Sequence, residues 1–555
     1  MKPCFHLNRR LLKLCLLVLV MLANSLLFAQ VKQKSNLSFL RTSGQDIVDE
    51  SGKKIYLKGV GLGNWLLPEG YMWKFGEMGD RPRKIEKVVA DLIGKGKAAH
   101  FWKTFRKNYI TEADIKRIGE LGYNSVRPAL NSRLFLTEEE NPVYVEEGFQ
   151  LIDSLVGWCK KYKLYVIIDM HGAPGGQTGA NIDDSPNDIP ELFIEKKYQD
   201  QLVNLWVKIA EKYKDEPVVA AYDLLNEPLP IRTGAADKYK HLLVPLYQRI
   251  TAEIRKVDTK HMITLEGFNW SNDWSLFEKP FDTNVFYQFH YYCWNRPDNL
   301  NSIDEYIKKR SQLNTPIWVG ETGEKGNAIY WATTQLFEAN NIGFSFWPWK
   351  KMDTKNTPYS IKKPTGWDLI SAYTNGGAKP ETVAAEKAFN ELLENIKLLN
   401  CDYFEDVNNA ILTRIPAKIE AENYGHNGFN RSWFVIDTIT KSKFYRTNEP
   451  VKVNLDSKEK DLLWSEQSIE LQPEEWVLYN FENLDNAKHH LSIRASAAGA
   501  ARLNIVINNK KVNAAITIKE FSEIGVGDHQ LKKGMNTVKI FVQSGTVQLD
   551  WIKFN

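Results

Sequence analysis

LYVIIDMHG (164–172), YQDQLVNLWVKIAEKYKDE (198–216) and VVAAYDLLNEP (218–228) follow one another as an apolar run, an amphipathic stretch and a second apolar run. Neither apolar run alternates in the manner of a strand with one wet face. Strands buried on both faces read this way, and an intervening stretch with helical spacing supplies their cover, so the unit predicts two parallel strands joined by a helix. The same alternation extends outward in both directions. KIYLKGVGLG (54–63) and YNSVRPAL (123–130) precede it, with ITEADIKRIGELG (110–122) between them. MITLEGF (262–268), NVFYQFHYY (284–292), PIWVGETGE (316–324) and GFSFWPWK (343–350) follow. Eight such strands predict a (β/α)8 TIM barrel of the α/β class, with an open doubly wound sheet as the competing arrangement.

Near residue 401 the pattern changes. Short strands follow at regular spacing: KIEAENY, EWVLYNF, HLSIRAS, RLNIVINN, NTVKIFVQ and VQLDWIKF, separated by turns such as NNKK and KKGMN. This predicts a β-sandwich of jelly-roll type. The expected organisation is a signal peptide at 1–29, a barrel at 30–400, a linker at 401–415 and the sandwich at 416–555. Trp476, Tyr479 and Trp551 alternate within these strands and are expected to be core.

The chain has 555 residues, 43% hydrophobic and 25% charged, which excludes a disordered or multispanning membrane protein. Its formal charge is +4, and residues 1–29 contain Lys2, Arg9, Arg10 and Lys13 with no acid. The remainder is therefore balanced, which argues against a nucleic acid partner. The basic start leads into LCLLVLVMLANSLLFA (14–29), the pattern of a secretory signal peptide, with an uncleaved membrane anchor as the rival reading. Beyond it stand Cys159, Cys293 and Cys401, too few for a disulfide framework. A secreted, periplasmic or cell-surface address is expected, with no membrane span after cleavage, and a monomer.

Chemistry-bearing residues gather near the C-terminal ends of the barrel strands: Arg127, His171, Asn226, Glu227, His290, Tyr292, Glu321 and Trp347. That end of a (β/α)8 barrel carries the active site. Two carboxylates, Glu227 and Glu321, suit the cleavage of a glycosidic bond. One protonated acid serves the leaving oxygen, and one ionised group attacks the anomeric carbon or activates water. Arg127 and the Tyr292 hydroxyl are expected to hold Glu321 ionised, and a drier site near His290 to keep Glu227 protonated.

LLNEP (224–228), with VRP upstream and FHYY (289–292), VGET (319–322) and FWPW (346–349) downstream, resembles glycoside hydrolase family 5. The resemblance implies a retaining β-glycosidase with Glu227 as acid/base and Glu321 as nucleophile. It also implies that Asn226 binds the 2-hydroxyl, that Arg127 and Tyr292 hold the nucleophile, that His171 and His290 line the subsite, and that Trp347 lies beneath the sugar ring. GVGLGNWLLPE (59–69) and MHGAPGGQTG (170–179) resemble the exo-β-1,3-glucanase branch, in which the residue matching Glu69 binds the terminal sugar. Here Asn64 replaces the second glycine of that motif. A solvated loop acid is the plain alternative for Glu69, and a charged loop rim is expected for Asp183 and Asp184.

IEAENY (419–424), YRTNEPV (445–451), EWVLYNF (475–481) and QLDWIKF (548–554) resemble carbohydrate-binding module family 6. That likeness implies a structural calcium at Glu420, Glu422 and Asp550, oxygen ligands suited to a hard cation. The stretch expected to supply a sugar-stacking Trp, TIKEFSEIGVGDHQ (517–530), contains none, so sugar binding by the sandwich is not expected. The sequence thus reads as a secreted retaining β-glycosidase acting on a β-linked oligo- or polysaccharide, from chain ends, with no catalytic cofactor. An endo-acting cellulase or mannanase, and a non-catalytic surface glycan-binding protein, are the alternatives.

Overall fold

The eight apolar runs all become strands of one parallel sheet. In this computed structural model, which describes residues 37–293, 300, 302–443, 445–455, 467–516 and 519–555, they are β1 Lys58–Leu62, β2 Ser125–Asn131, β3 Tyr165–Gly172, β4 Val219–Asp223, β5 Met262–Glu266, β6 Val285–Tyr291, β7 Ile317–Gly323 and β8 Gly343–Trp347. β8 pairs with both β1 and β7, which closes the barrel in sequence order. Nearly every strand residue is buried, the physical reason the runs do not alternate. The predicted leader at 1–29 lies outside the described residues. Among those described, no helix is long and apolar enough to cross a membrane.

Strand register stacks polar groups inside the barrel. Ala129 of β2 lies opposite Asp169 of β3, Asp169 opposite Asp223 of β4, and Asp223 opposite Thr264 of β5. Arg127 sits two residues before Ala129 and so shares its face. It lies early in β2 rather than at the strand end that the sequence suggested, because β2 continues to Asn131.

The segment after β8 is pinned from below. The helix Glu112–Glu120 begins with a capping box between Thr111 and Asp114. The other oxygen of Asp114 accepts from Trp349 Nε1 at 3.1 Å and pairs with buried Lys350 Nζ at 2.9 Å.

The described residues of 417–554 form two antiparallel sheets over one core. Strands 476–483, 501–507 and 534–544 anchor one sheet, and 488–497 and 547–554 the other. Tyr479 enters the core, whereas Trp476 and Trp551 are half-exposed. Trp476 falls on the outward parity of its strand, and a register shift between Leu549 and Trp551 turns Trp551 outward as well, so the core expectation is wrong for both. Between the barrel and these sheets, Asp402–Tyr403 pairs with strand Tyr359–Ile361, and Glu405–Ile411 is helical. Ser38–Asn555 form one compact unit. Trp331, on the barrel helix Asn327–Ala339, belongs to the sandwich core. Arg414 pairs with Glu482 of the sandwich at 2.7 Å and donates to the Leu121 carbonyl of the barrel.

Trp331→Ala should therefore lower the stability of the whole chain by about 3–5 kcal/mol, the usual range for a buried Trp. Trp331→Phe, which keeps a ring and removes an N–H buried without an acceptor, should cost much less. Calorimetric unfolding of the two variants checks the ordering.

Candidate active site

Glycines make the floor. A Cβ on Gly61 would lie 2.3 Å from Trp347 Cε3, and one on Gly63 would lie 2.5 Å from Trp347 Cζ2. The GVGLG run is thus a slot for one indole, whose Nε1 donates to the Tyr71 hydroxyl at 3.1 Å. The His171 ring stacks on Trp347 at 5.2 Å, nearly parallel. Asn64 adopts φ +66°, a left-handed conformation that Asn tolerates better than most residues. Its amide holds the following turn, accepting from Trp73 Nε1 at 2.6 Å and from the Glu69 N–H at 3.3 Å.

Arg127 is fully buried at the centre. Its Nη1 donates to Glu321 Oε1 at 2.6 Å, its Nη2 to Asn226 Oδ1 at 2.9 Å and to Glu266 Oε1 at 3.1 Å, and its Nε to Asp223 Oδ2 at 2.9 Å. Asp169 lies 3.2 Å from the same guanidinium and 2.7 Å from His171 Nδ1. The Tyr292 hydroxyl donates to the other Glu321 oxygen at 2.8 Å. His290 Nδ1 lies 2.6 Å from Glu227 Oε1, and its Nε2 lies 3.3 Å from Glu266. Glu227 itself has φ +43°, and its N–H donates to Glu266 Oε2 at 2.7 Å.

The two carboxylates have opposite tendencies. Burial pushes Glu227 above the ordinary carboxylate range. His290 opposes that shift, and the negative charges of Glu321 and Glu266 reinforce it. Burial would raise Glu321 as well, but His290, Arg127 and His171, with the Tyr292 hydrogen bond, hold it below its usual value. Among the described residues, Glu227, His290 and Glu321 form the one group of three acidic or imidazole side chains whose donor atoms lie within 4.8 Å of one another. An Arg127 nitrogen already occupies one flank of that group.

A cavity of about 550 Å³ opens over these residues. Glu69, His171, Glu227, His290, Tyr292, Glu321 and Trp347 line it, and Arg127 and Asn226 stand behind its wall.

Residues 91–353 match the family model "Cellulase (glycosyl hydrolase family 5)". The chain is 32% identical over 365 residues to a β-xylosidase of Phanerodontia chrysosporium, an alignment covering 58% of this chain and 74% of that one. The chain belongs to glycosyl hydrolase family 5. It is also 29% identical over 282 residues to a protein of Emericella nidulans named "Probable glucan 1,3-beta-glucosidase A", covering 48% and 66% of the two chains. Endoglucanase C of Acetivibrio thermocellus is 29% identical over 331 residues, covering 49% and 92%. Family 5 enzymes are retaining glycoside hydrolases that need no cofactor for catalysis.

Several residues of this family 5 site escaped the sequence reading. Asp169, Asp223 and Glu266 look like ordinary strand residues, although Asp169 shares a strand face with His171 and period-two spacing could have flagged it. Gln177 stitches two loops, donating to the His171 carbonyl at 2.6 Å and the Asn226 carbonyl at 2.9 Å. Asp183 and Asp184 are not a solvated rim; both are buried. Asp183 accepts from the N–H groups of Gln177, Thr178 and Ser185, and Asp184 pairs with Arg133 and Asn131. Glu69 is not a solvated acid either, being 4% exposed with Oε1 unpartnered.

The calcium candidates lie apart from this cavity. Glu420 is pushed up to about 7 by burial and by the nearby Asp550, against the pull of Lys418 at 2.6 Å. Glu422 is raised well above its range by burial and by Glu420, and its Oε2 is buried without a partner. Arg494 pairs with Asp550. Lys418 and Arg494 thus already pair with two of the three carboxylates, and Glu422 keeps the unpartnered oxygen.

Gly61→Ala should displace the Trp347 indole and cut kcat/KM about tenfold or more while the barrel still folds, since misplacements near 1 Å are costly at a reacting centre. Steady-state kinetics beside a circular dichroism spectrum checks it.

Proposed function

We propose that this protein is a secreted retaining β-glycosidase that removes sugars from the ends of β-glucan chains. The observation that carries the reading is the pairing of Glu227 and Glu321, whose oxygens lie within 4.8 Å and whose proton affinities are driven apart. Retaining enzymes need their two carboxyl groups this close, because the second attacks directly with no water between.

In this reading Glu321 attacks the anomeric carbon while Glu227 gives its proton to the departing oxygen, forming a glycosyl ester on Glu321. Glu227, now ionised, takes a proton from water as that water cleaves the ester, which restores both groups. Arg127 and Tyr292 aim Glu321, and Asn226 meets the 2-hydroxyl. His171 and His290 complete the subsite with Trp347, whose face is suited to sugar C–H groups. Glu69 receives hydroxyls of the terminal sugar; its unpartnered buried oxygen supports that role and, with it, attack from chain ends. A β-xyloside substrate is the second reading, favoured by the β-xylosidase relative.

The proposed organisation is a signal peptide at 1–29, a catalytic barrel at 30–400, a connector at 401–415 and a module resembling carbohydrate-binding family 6 at 416–555. Glu420, Glu422 and Asp550 would hold a calcium that neutralises their crowded charges and stiffens the module. Calcium excess should raise the thermal midpoint, chelation should lower it, and Glu422→Gln should abolish the difference.

Glu321→Ala should fold yet lose nearly all activity, and azide should restore part of it with inverted product. Wild-type turnover by this variant would remove the nucleophile assignment. Activity against pH should be bell-shaped. It should fall on the acid side as Glu321 is protonated, at a pH below the ordinary carboxylate range. It should fall on the alkaline side as Glu227 loses its proton, at a pH above that range. Product chromatography with laminarin, cellulose, mannan and aryl glycosides tests linkage and mode of attack, and single sugar from laminarin is the expected result.

A further inference from the structure

Gln177 sits where two loops of the site meet, and each of its polar groups is bonded to backbone or to a loop acid. The loop after β3 turns back through Gly175 and Gly176, both left-handed at φ +74° and +77°, and a Cβ on Gly176 would lie 2.0 Å from Ser185 Oγ. That turn lays Gln177, fully buried, against the segment after β4 that carries Asn226 and Glu227. Its Nε2 donates to the His171 carbonyl at 2.6 Å and to the Asn226 carbonyl at 2.9 Å, and its Oε1 accepts from the Ala173 N–H at 3.1 Å. Two carbonyls and one N–H allow the amide a single orientation. Its main-chain N–H donates to Asp183 Oδ2 at 2.8 Å, and its carbonyl accepts from the Leu229 N–H at 3.2 Å.

The Asn226 carbonyl and the Glu227 N–H are the two poles of one peptide. Gln177 holds the first, and the Glu266 carboxylate accepts from the second at 2.7 Å. Glu227 at φ +43° and Leu229 at φ +51° are left-handed without being glycine, conformations that persist where surrounding bonds over-determine them. Gln177 supplies two of those bonds, one at each end of the turn 226–229. The other carboxylate is aimed by different groups: Glu321 lies on β7 and accepts from Arg127 and Tyr292.

We propose that Gln177 is a positioning residue for proton donation. By clamping the Asn226–Glu227 peptide against Glu266, it fixes the direction in which the Glu227 carboxyl meets the leaving oxygen. The proposal rests on the reading of Glu227 as the acid. A side chain without the two donors leaves two buried carbonyls unmet, and the turn relaxes. A displacement of about 1 Å is costly at a reacting centre, and here the loss falls on substrates whose departing oxygen needs a proton.

The test compares kcat/KM for a 2,4-dinitrophenyl β-glycoside, whose phenolate leaves without a proton, with kcat/KM for the matching β-linked disaccharide, of glucose or xylose, whichever the wild-type protein hydrolyses. Gln177→Met, of similar length and without either donor, should lower the ratio of disaccharide to aryl glycoside about tenfold. Gln177→Glu keeps the shape and, when protonated, one donor, so it should retain part of the ratio and retain more of it as pH falls. An unchanged ratio, or equal losses on both substrates, overturns the proposal and leaves Gln177 a structural link between loops. If Gln177→Met does not fold, Gln177→Glu decides in the same way. Glu227→Gln separates the underlying reading, since it should spare the aryl glycoside and lose the disaccharide. Full disaccharide activity in that variant defeats the assignment of the acid and the positioning role with it. The expected Glu227→Gln result beside an unchanged Gln177→Met ratio defeats the positioning role alone.

Discussion

One guanidinium inside the barrel is the constraint from which the site follows. Register alone sets Asp169 beside Asp223 on neighbouring strands, and Glu266 and Glu321 converge on the same interior. Four carboxylates packed together without water would cost several kcal/mol apiece to keep charged. Arg127 reaches all four, and the same atoms that neutralise them fix Asn226 and one oxygen of Glu321 in place. Removing one partner of such a set leaves the others buried and unpaired, so structure and chemistry share a single electrostatic support. Asp223 illustrates the strain: burial pushes it well above the usual carboxylate range, Arg127 pulls it down, and Glu266 and Asp169 push it up again.

The barrel was legible because burial on both faces leaves a simple mark, an apolar run without alternation, repeated eight times between helical stretches. The two glutamates and their immediate neighbours were legible because they interrupt those runs with residues a sheet does not otherwise need. Less visible were the groups whose meaning depends on partners from other strands. Glu266 closes MITLE like any strand-end acid, yet it accepts the Glu227 N–H and faces His290. Asp183 and Asp184 look solvated in sequence because paired acids in a loop usually are; here one caps three backbone N–H groups and the other meets two arginines. Trp476 and Trp551 misled for the opposite reason, since aromatic residues in alternating strands suggest core, while parity at Trp476 and a register shift before Trp551 turn both outward. Pattern reveals what a residue is next to along the chain, and closure of the cylinder decides what it is next to in space.

The glycines near the start of the barrel show how a site requires absence as well as presence. Gly61 and Gly63 contribute no chemistry, but any side chain there would occupy the volume of the Trp347 indole. The indole stacks on His171, whose other side is bound to Asp169, which meets Arg127. A volume constraint on the first strand is thereby linked to the charge constraint on the second and third. Asn64 is consistent with this: its left-handed φ is what the position needs, and its amide then holds the turn that brings Glu69 down into the cavity.

These supports also explain how two identical acids acquire different proton affinities. Both are buried, so desolvation raises both; the difference is in their partners. Glu321 accepts from a guanidinium and a phenol, neither of which can take a proton from it at neutral pH. The nearest partner of Glu227 is His290, a group that titrates, whose affinity for protons is itself raised, despite burial, by Glu266, Glu321 and Glu227. His290 lies beside both acids, 2.6 Å from Glu227 and 3.6 Å from Glu321, and the permanent donors Arg127 and Tyr292 on Glu321 alone make the difference between them. The left-handed backbone at Glu227, fixed by the Glu266 carboxylate, is what puts its carboxyl next to His290.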